Sequence, residues 1–556
     1  MEKWKSEDPY ISSVTLGNRS VFVLCHGPSQ LSFSDYSDKE LFTLSLDTFS
    51  YHTVSSYSKE EYLGSICHSV SFSSSLFEPI SSEICDASIT DTLMQGENIF
   101  IRNISSIEHF DIRIKPLDGA HVYFYPLYKF TSFTRSAVLI ERGSFRALIT
   151  TLGDASVCED LTVNVKDGSS QLIITFGSIT ECIKSAERAV REYSFGNLPI
   201  TKTDLFYREM LSNVRNSLKV PALSLLSLRK SDGSFISSGC DRLSRTEDAP
   251  YIMRALLALG LDNIAKSLAL FYINAFEKDK NIMPIYGLAD TLPSHSEAAA
   301  LLSAAKCILY CLDKTKDTSL ARKSNKLIKA AVKKGLSASE HSSLYFSGCE
   351  RYFSDKTLSL SHLFDLSLSA HLDLFESLSL YKRVYTDRYF DKEDTEDLKA
   401  LIIGLFTSDK GVFPSAKSKS SARRPRVIFA ACPVCLEHGN ENYRELELMH
   451  SSYLCPLCHS RNPSGTRDPD IGIFSPSVAS LALLSDSELF DRSIVGSLKS
   501  SLTSKSTDEN SRYLLEIAAK RHGITTSKAA ASSRTLTPTP NTLSLSLYII
   551  ANGDKQ

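Results

Sequence analysis

At 556 residues the chain is too long for one ordinary hydrophobic core, so two or more domains are expected. Hydrophobic residues make up 42% and charged residues 23%, which excludes a disordered chain, and no apolar run has the length needed to cross a bilayer. A formal charge of −2 and a pI near 6.7 exclude a global field for drawing in a polyanion, so nucleic acid is not the expected partner.

The N-terminal stretch MEKWKSEDPYISSVTLGNRS lacks the apolar centre of a secretory signal. Thirteen cysteines, an odd number without framework spacing, fit a reducing compartment, and a cytoplasmic protein is expected. From about residue 10 to 180, short runs of β-branched and aromatic residues alternate with turn formers: SVFVLCHG, ENIFIRNISS, HFDIRIKPL, HVYFYPLYKFTSF, SAVLIERGSFRALITTLG and LTVNVKDGSSQLIITFG. Phe110, Ile112 and Ile114 repeat with period two, and VKDGSSQ reads as a hairpin connection. This pattern predicts an antiparallel β-sandwich over residues 1–180.

After ITFGSI the period changes. TECIKSAERAVREYS has helical spacing and predicts a helical linker over 181–203, and from about residue 204 the chain is a succession of helix-length amphipathic segments. In APYIMRALLALGLDNIAKSLALFYINAFEK, Ile252, Ala255, Leu256, Leu259, Ile264, Leu268 and Phe271 recur at three and four. Short and long connections alternate, and long loops in a compact domain are more often functional than idle.

Just ahead of that segment, the loop GCDRLSRTEDAP carries Asp241, Arg242, Arg245, Glu247 and Asp248, with Pro250 in the first turn of the following helix. Acidic residues at such a position are commonly plain caps. Downstream, HSEAAALL places Glu297 where Ser294 and Glu297 also fit a capping box, and LFDLSLSAH places Asp365 at a helix end.

The wording of this region resembles the catalytic domains of glucoamylase-like glycoside hydrolases, in which a phrase of the type Arg-Asp-x-x-Tyr followed by Arg-Ala-Leu-x-x-Leu-Gly opens the second barrel helix. Here the matching residues are Arg245, Asp248, Tyr251, Arg254, Ala255, Leu256, Leu259 and Gly260, with Thr246 and Glu247 intervening between the first two. A second phrase, FSGCERY, resembles a loop of uncharacterised relatives of that group and places Glu350 between Tyr345 and Tyr352.

The resemblance implies an (α/α)6 helical toroid over residues 204–556 behind the β-sandwich, and hydrolysis of a terminal sugar with inversion. Inverting chemistry needs a protonated carboxyl and a second carboxylate acting on water, about 6.5–9.5 Å apart. Glu350, beside aromatic rings that raise a carboxyl pKa, is the candidate acid; Asp248, Glu297 and Asp365 are candidate bases. Arg245, Glu247, Tyr251, Tyr286 and Tyr352 are candidate carbohydrate contacts.

Late in the helical half, Cys432-x2-Cys435 and Cys455-x2-Cys458 are separated by nineteen residues, the spacing of a four-cysteine zinc ribbon over about 427–465. Four thiolates leave zinc no open position, so the metal is expected to be structural. His438, His450 and His459 lie near and offer an alternative ligand. The adjacent Lys417, Lys419, Arg423, Arg424 and Arg426 read as a solvated loop, since no aromatics interleave them for base stacking.

The only tryptophan is Trp4, so the helical half lacks the residue that most often floors a sugar subsite. The alternative to an enzyme is therefore a catalytically silent carbohydrate-binding or scaffold protein whose zinc ribbon contacts protein or nucleic acid. Neither a phosphate-binding glycine loop nor a Gly-x-Ser-x-Gly elbow is present, and the sequence leaves the oligomeric state open.

Overall fold

The computed structural model describes residues 14–25, 30–36, 40–47, 53–62, 65–73, 87–107, 109–193, 198–239, 242–283, 285–286, 297–340, 368–385, 389–390, 395–399, 426–427, 446–447, 513–514, 516–518 and 541–553. The chain divides into two compact units, one comprising Met1–Ser231, Phe235–Arg242 and Thr535–Asn541, the other Asp232–Ser234, Leu243–Arg534 and Thr542–Gln556.

Among the described residues the first unit holds thirteen antiparallel strands: β1 (Val14–Gly17), β2 (Phe22–Cys25), β3 (Gln30–Ser34), β4 (Glu40–Asp47), β5 (Thr53–Tyr62), β6 (Ser65–Ser73), β7 (Ala87–Leu93), β8 (Ile99–Ser106), β9 (Phe110–Pro116), β10 (His121–Lys129), β11 (Thr134–Arg142), β12 (Phe145–Val157) and β13 (Thr162–Phe176). Their hydrogen-bonded order is β1-β2-β3-β4-β9-β13-β8-β7-β6-β5, with β12, β11 and β10 branching from β13. One edge of β13 serves two wings, because its first residues pair with β9 and its later ones with β8. The wings close on a shared core: Phe33 of β3 meets Phe100 of β8 edge-on at 5.0 Å and lies 6.0 Å from Phe176 of β13.

Period two places Phe110, Ile112 and Ile114 in that core, as their alternation predicts. VKDGSSQ, expected as a hairpin connection, lies inside β13 instead. Gly168, at φ +120, allows the local kink where the strand changes partner. The hairpin falls earlier, where β11 and β12 meet at Arg142 and Phe145 around Gly143, φ 62.

Helix α1 (Ile179–Tyr193) opens with a capping box, Ser178 N–H donating to Glu181 Oε2 at 2.8 Å and Glu181 N–H to Ser178 Oγ at 3.3 Å. It seals the outer face of the sheet, with Cys182 and Ala186 against Leu139 and Leu148, and Ala189 and Tyr193 against Ile99, Ile101 and Ile173. Helices α2 (Leu198–Met210) and α3 (Asn216–Ser227) follow in the same unit. A Cβ on Gly17 would stand 2.1 Å from Ser227 O, which is why β1 can approach α3 so closely.

The second unit is mostly helical: α4 (Ala249–Ala258), α5 (Asp262–Asp279), α6 (Glu297–Thr315), α7 (Thr318–Glu340), α8 (Leu368–Val384) and α9 (Thr542–Gly553). Helix α6 packs on both α4 and α8, and α9 packs on α4, forming one row; α5 packs on α7 as a second layer across it. Between α4 and α5 the link is a Schellman turn, with Leu261 N–H bonded to Leu256 O at 2.9 Å and Gly260 N–H to Leu257 O at 3.1 Å, Gly260 having φ +72. The resembled Leu259-Gly260 pair is thus a helix stop, and the long periodic segment is two helices. A similarly tight link joins α6 to α7 through Lys316, φ 53, and Asp317, which accepts from Ser319 and Leu320 N–H.

These short links join one layer to the other. Lys306 pairs with Asp373 and, further along both helices, Tyr310 with Glu376, so α6 and α8 run parallel within the row. No described helix is long and apolar enough to cross a membrane.

Candidate active site

The residues singled out near α4 do come together. Ser244–Arg245 (β14) pairs antiparallel with Ile285–Tyr286 (β15), setting Ser244 opposite Tyr286 and Arg245 opposite Ile285. A single 3-10 turn, Thr246–Asp248, then leads into α4. Thr246 Oγ1 donates to Met283 O at 2.6 Å, and Met283 N–H donates to Tyr286 Oη at 3.2 Å, so both backbone groups of Met283 tie the two strands to the turn.

The loop behind is held as tightly. Gly233, φ +96, leaves room for Ser267 O, which a Cβ would approach to 2.6 Å. Asp232 Oδ1 accepts from Ser234 N–H and Oγ.

Arg245 and Asp248 are 4% and 5% exposed, burial that a charged side chain sustains only with partners. Asp248 occupies the N-cap position of α4 at φ −77, ψ −20, yet its side chain makes no capping hydrogen bond. The plain-cap reading of this aspartate therefore fails. Arg242 is drawn elsewhere, its guanidinium paired with Glu40 at 3.1 Å within the first unit.

Three aromatic residues stand beside the turn. Tyr286 meets Phe271 at 5.0 Å and Tyr272 at 6.3 Å between ring centroids. Burial pushes the Tyr286 phenol up to about 12 against the opposing Met283 N–H. Tyr272 is raised further, by burial first, then by Cys307 and Tyr286; Thr246 opposes with a hydrogen bond and the Asp248 charge adds to the rise. Both hydroxyls stay protonated at any physiological pH.

A second polar group, which sequence reasoning missed, lies further along the same row. Lys306 of α6 pairs with Asp373 at 2.6 Å and with Glu376 at 2.8 Å, both on α8. The Tyr310 hydroxyl donates to Glu376, and Arg254 of α4 stands 5.7 Å from the Tyr310 ring centroid. Burial pushes the Glu376 carboxyl up, but Lys306, Tyr310 and Arg254 together bring it below the usual glutamate value. The only signal in sequence was a lone lysine in SAAKCIL and two acids three apart in HLDLFES.

Of the other expected site residues, Glu297 is the first residue of α6. Glu350, Tyr352, Tyr345, Asp365 and the four zinc cysteines Cys432, Cys435, Cys455 and Cys458 lie outside the described residues. Within the expected zinc-ribbon region only a short antiparallel pair, Arg426–Val427 with Leu446–Glu447, is described. Among the described residues no group of three or more His, Cys, Asp or Glu side chains is arranged to hold a metal.

No protein-family profile matches the sequence, and no curated protein matches it. Among solved structures the chain is similar to a bacterial glucoamylase complexed with acarbose, at TM-score 0.57 and 9% identity over 99% of this chain and 94% of that one. It is also similar to a family GH92 α-mannosidase from Bacteroides thetaiotaomicron in complex with mannoimidazole, at TM-score 0.45 and 10% identity over 98% and 83% of the two chains. A rhamnosidase from Klebsiella oxytoca with rhamnose bound follows at TM-score 0.41 and 12% identity, over 91% and 95%. The glucoamylase likeness shows the fold, a β-sheet domain followed by a helical domain.

Proposed function

We propose that the chain is an inverting glycoside hydrolase acting on the terminal sugar of an oligosaccharide or polysaccharide. The observation that carries this reading is the buried Arg245–Asp248 turn at the N-terminus of α4, in a chain whose fold matches a glucoamylase over nearly its whole length. An aspartate buried at a helix N-terminus without capping that helix is a candidate for chemistry or for gripping hydroxyls. In this reading Arg245, Glu247, Tyr251, Tyr286 and Tyr352 hold the sugar, Glu350 protonates the leaving oxygen, and Asp248 or Asp365 acts on water. The helical half closes as an (α/α)6 toroid that follows a β-sandwich and a helical linker in the chain.

Zinc would be held by Cys432, Cys435, Cys455 and Cys458 over 427–465. Four thiolates suit a tetrahedral ion, and such a clasp closes a long loop that is otherwise entropically costly to order. Among the described residues Cys158, Cys182, Cys307 and Cys311 form no disulfide, which suits a reducing, cytoplasmic setting.

The test is hydrolysis of a panel of α- and β-linked oligosaccharides by zinc-replete protein, with Glu350→Gln and Asp248→Asn compared with wild type. A cleaved substrate with inverted anomeric product, lost by at least about a hundredfold in Glu350→Gln, is the expected result. Full activity in Glu350→Gln would remove that residue from the acid role. The absence of tryptophan from the helical half favours a second reading, a silent carbohydrate-binding or scaffold protein. That reading predicts saturable sugar binding without turnover across the same panel.

A further inference from the structure

Tyr251, Arg254, Lys306, Tyr310, Asp373 and Glu376 come from three adjacent helices, and all are half-buried while their immediate chain neighbours are sealed. Met253 and Ala255 flank Arg254, Ala305 and Cys307 flank Lys306, and Leu372 and Leu374 flank Asp373, each 3% exposed or less. Polar residues recurring at three and four on α4, α6 and α8 thus form one partly open stripe in an otherwise apolar row.

Stability does not account for the stripe. An ion pair largely removed from water repays its desolvation poorly, and apolar residues of similar volume usually hold a fold as well or better. The stripe has a direction, however. Glu376 and Asp373 of α8 grip Lys306 of α6; Tyr310, on the same face of α6, receives the Arg254 guanidinium over its ring; and Arg254 lies one turn beyond Tyr251, whose phenol stands within reach of the Lys306 charge. Tyr251 in turn follows Asp248 by one turn of the same helix.

We propose that Lys306, Asp373 and Glu376 are positioning residues for the candidate site: the clamp fixes the first turn of α4 against α6 and α8, and so places Asp248 and Tyr251 without itself touching the ligand. The clamp as such is independent of the ligand's identity; that the ligand is a sugar rests on the glycosidase reading. A displacement of the order of an ångström at a reacting group is enough to lose large factors in rate or affinity, so a distant ion pair can matter through geometry alone.

The experiment compares the full-length wild type with Lys306→Met, Lys306→Arg, Glu376→Gln and the apolar triple variant Lys306→Met/Asp373→Leu/Glu376→Leu. Amide hydrogen exchange is followed over residues 246–254, and acarbose serves as the binding probe. The expected result is about tenfold faster exchange confined to residues 246–254 in Lys306→Met and in the triple variant, with α6 and α8 unchanged. Acarbose affinity falls about tenfold in the same variants and is rescued in Lys306→Arg. Native exchange at 246–254 in a folded triple variant overturns the proposal, as does loosening spread evenly over α4, α6 and α8. If the triple variant does not fold, the isosteric Glu376→Gln decides by the same criterion. A wild type that ignores acarbose counts against the sugar reading alone, and the exchange pattern still decides the clamp.

Discussion

Asp91 and Arg102 show how a single pair of residues can dominate a core. They sit directly opposite each other on β7 and β8, on the face that carries Ile89, Leu93, Phe100 and Ile104 into the core of the sheet unit. Arg102 reaches both carboxylate oxygens, at 2.7 and 2.8 Å, and the two side chains are 1% and 0% exposed. Burial pulls the guanidinium pKa down, yet the facing Asp91 more than reverses it. Removing one member leaves an uncompensated charge. Asp91→Ala should therefore cost about 3–5 kcal/mol in urea unfolding of this unit, whereas Asp91→Leu combined with Arg102→Met should return most of the loss. Equal damage from the single and double changes would mean that the pair matters for shape rather than charge. Nothing in TDTL or FIRN announces this pair, since isolated charges in a strand pattern read as the solvent face until α1 and the second wing are known to cover both sides.

Elements were legible where their signal was local. Period two placed β9 correctly, and three-and-four spacing found α1, α6 and α7. It missed where neighbours far along the chain set the outcome. KDGSS has the composition of a turn, but β8 pairs with Gly168 and Ser169 while β12 pairs with Val165 and Ser170 on either side of a bulge, so the strand runs on through it. The break between α4 and α5 was visible only as a phrase shared with another family, though its cause is local: Gly260 adopts φ +72 in open space and the chain reverses there. Gly260→Ala would meet no atom within 4 Å, so its whole cost is conformational, about 1 kcal/mol. Gly260→Asn should lose less, since asparagine tolerates the left-handed region. Thermal unfolding of the two variants checks the order; a larger loss in Asn than in Ala would show that space, not φ, constrains this turn.

At the scale of the whole molecule, the order of a β-rich unit before a helical one followed from the change of period near residue 180, while only part of the candidate site was legible. Arg245, Asp248 and Tyr251 could be found because they lie within one short phrase; Lys306, Asp373 and Glu376 could not, because only the packing of α4, α6 and α8 brings them together. The same row depends on a segment far away in sequence. Helix α9 lies against α4, with Leu545, Leu547, Ile549 and Ile550 each 3% exposed or less. Burying four such side chains contributes about 6–12 kcal/mol before entropy is counted, comparable to the net stability of a typical domain. Deleting residues 542–556 should therefore uncover α4, leave the helical unit unable to fold cooperatively, and abolish any ligand binding at the Arg245–Asp248 turn. The strands, whose core contains no residue of α9, should remain protected. Limited proteolysis with exchange mass spectrometry separates these outcomes: protection surviving in 249–279 after the deletion would show that α4 and α5 are held by α6 and α7 alone.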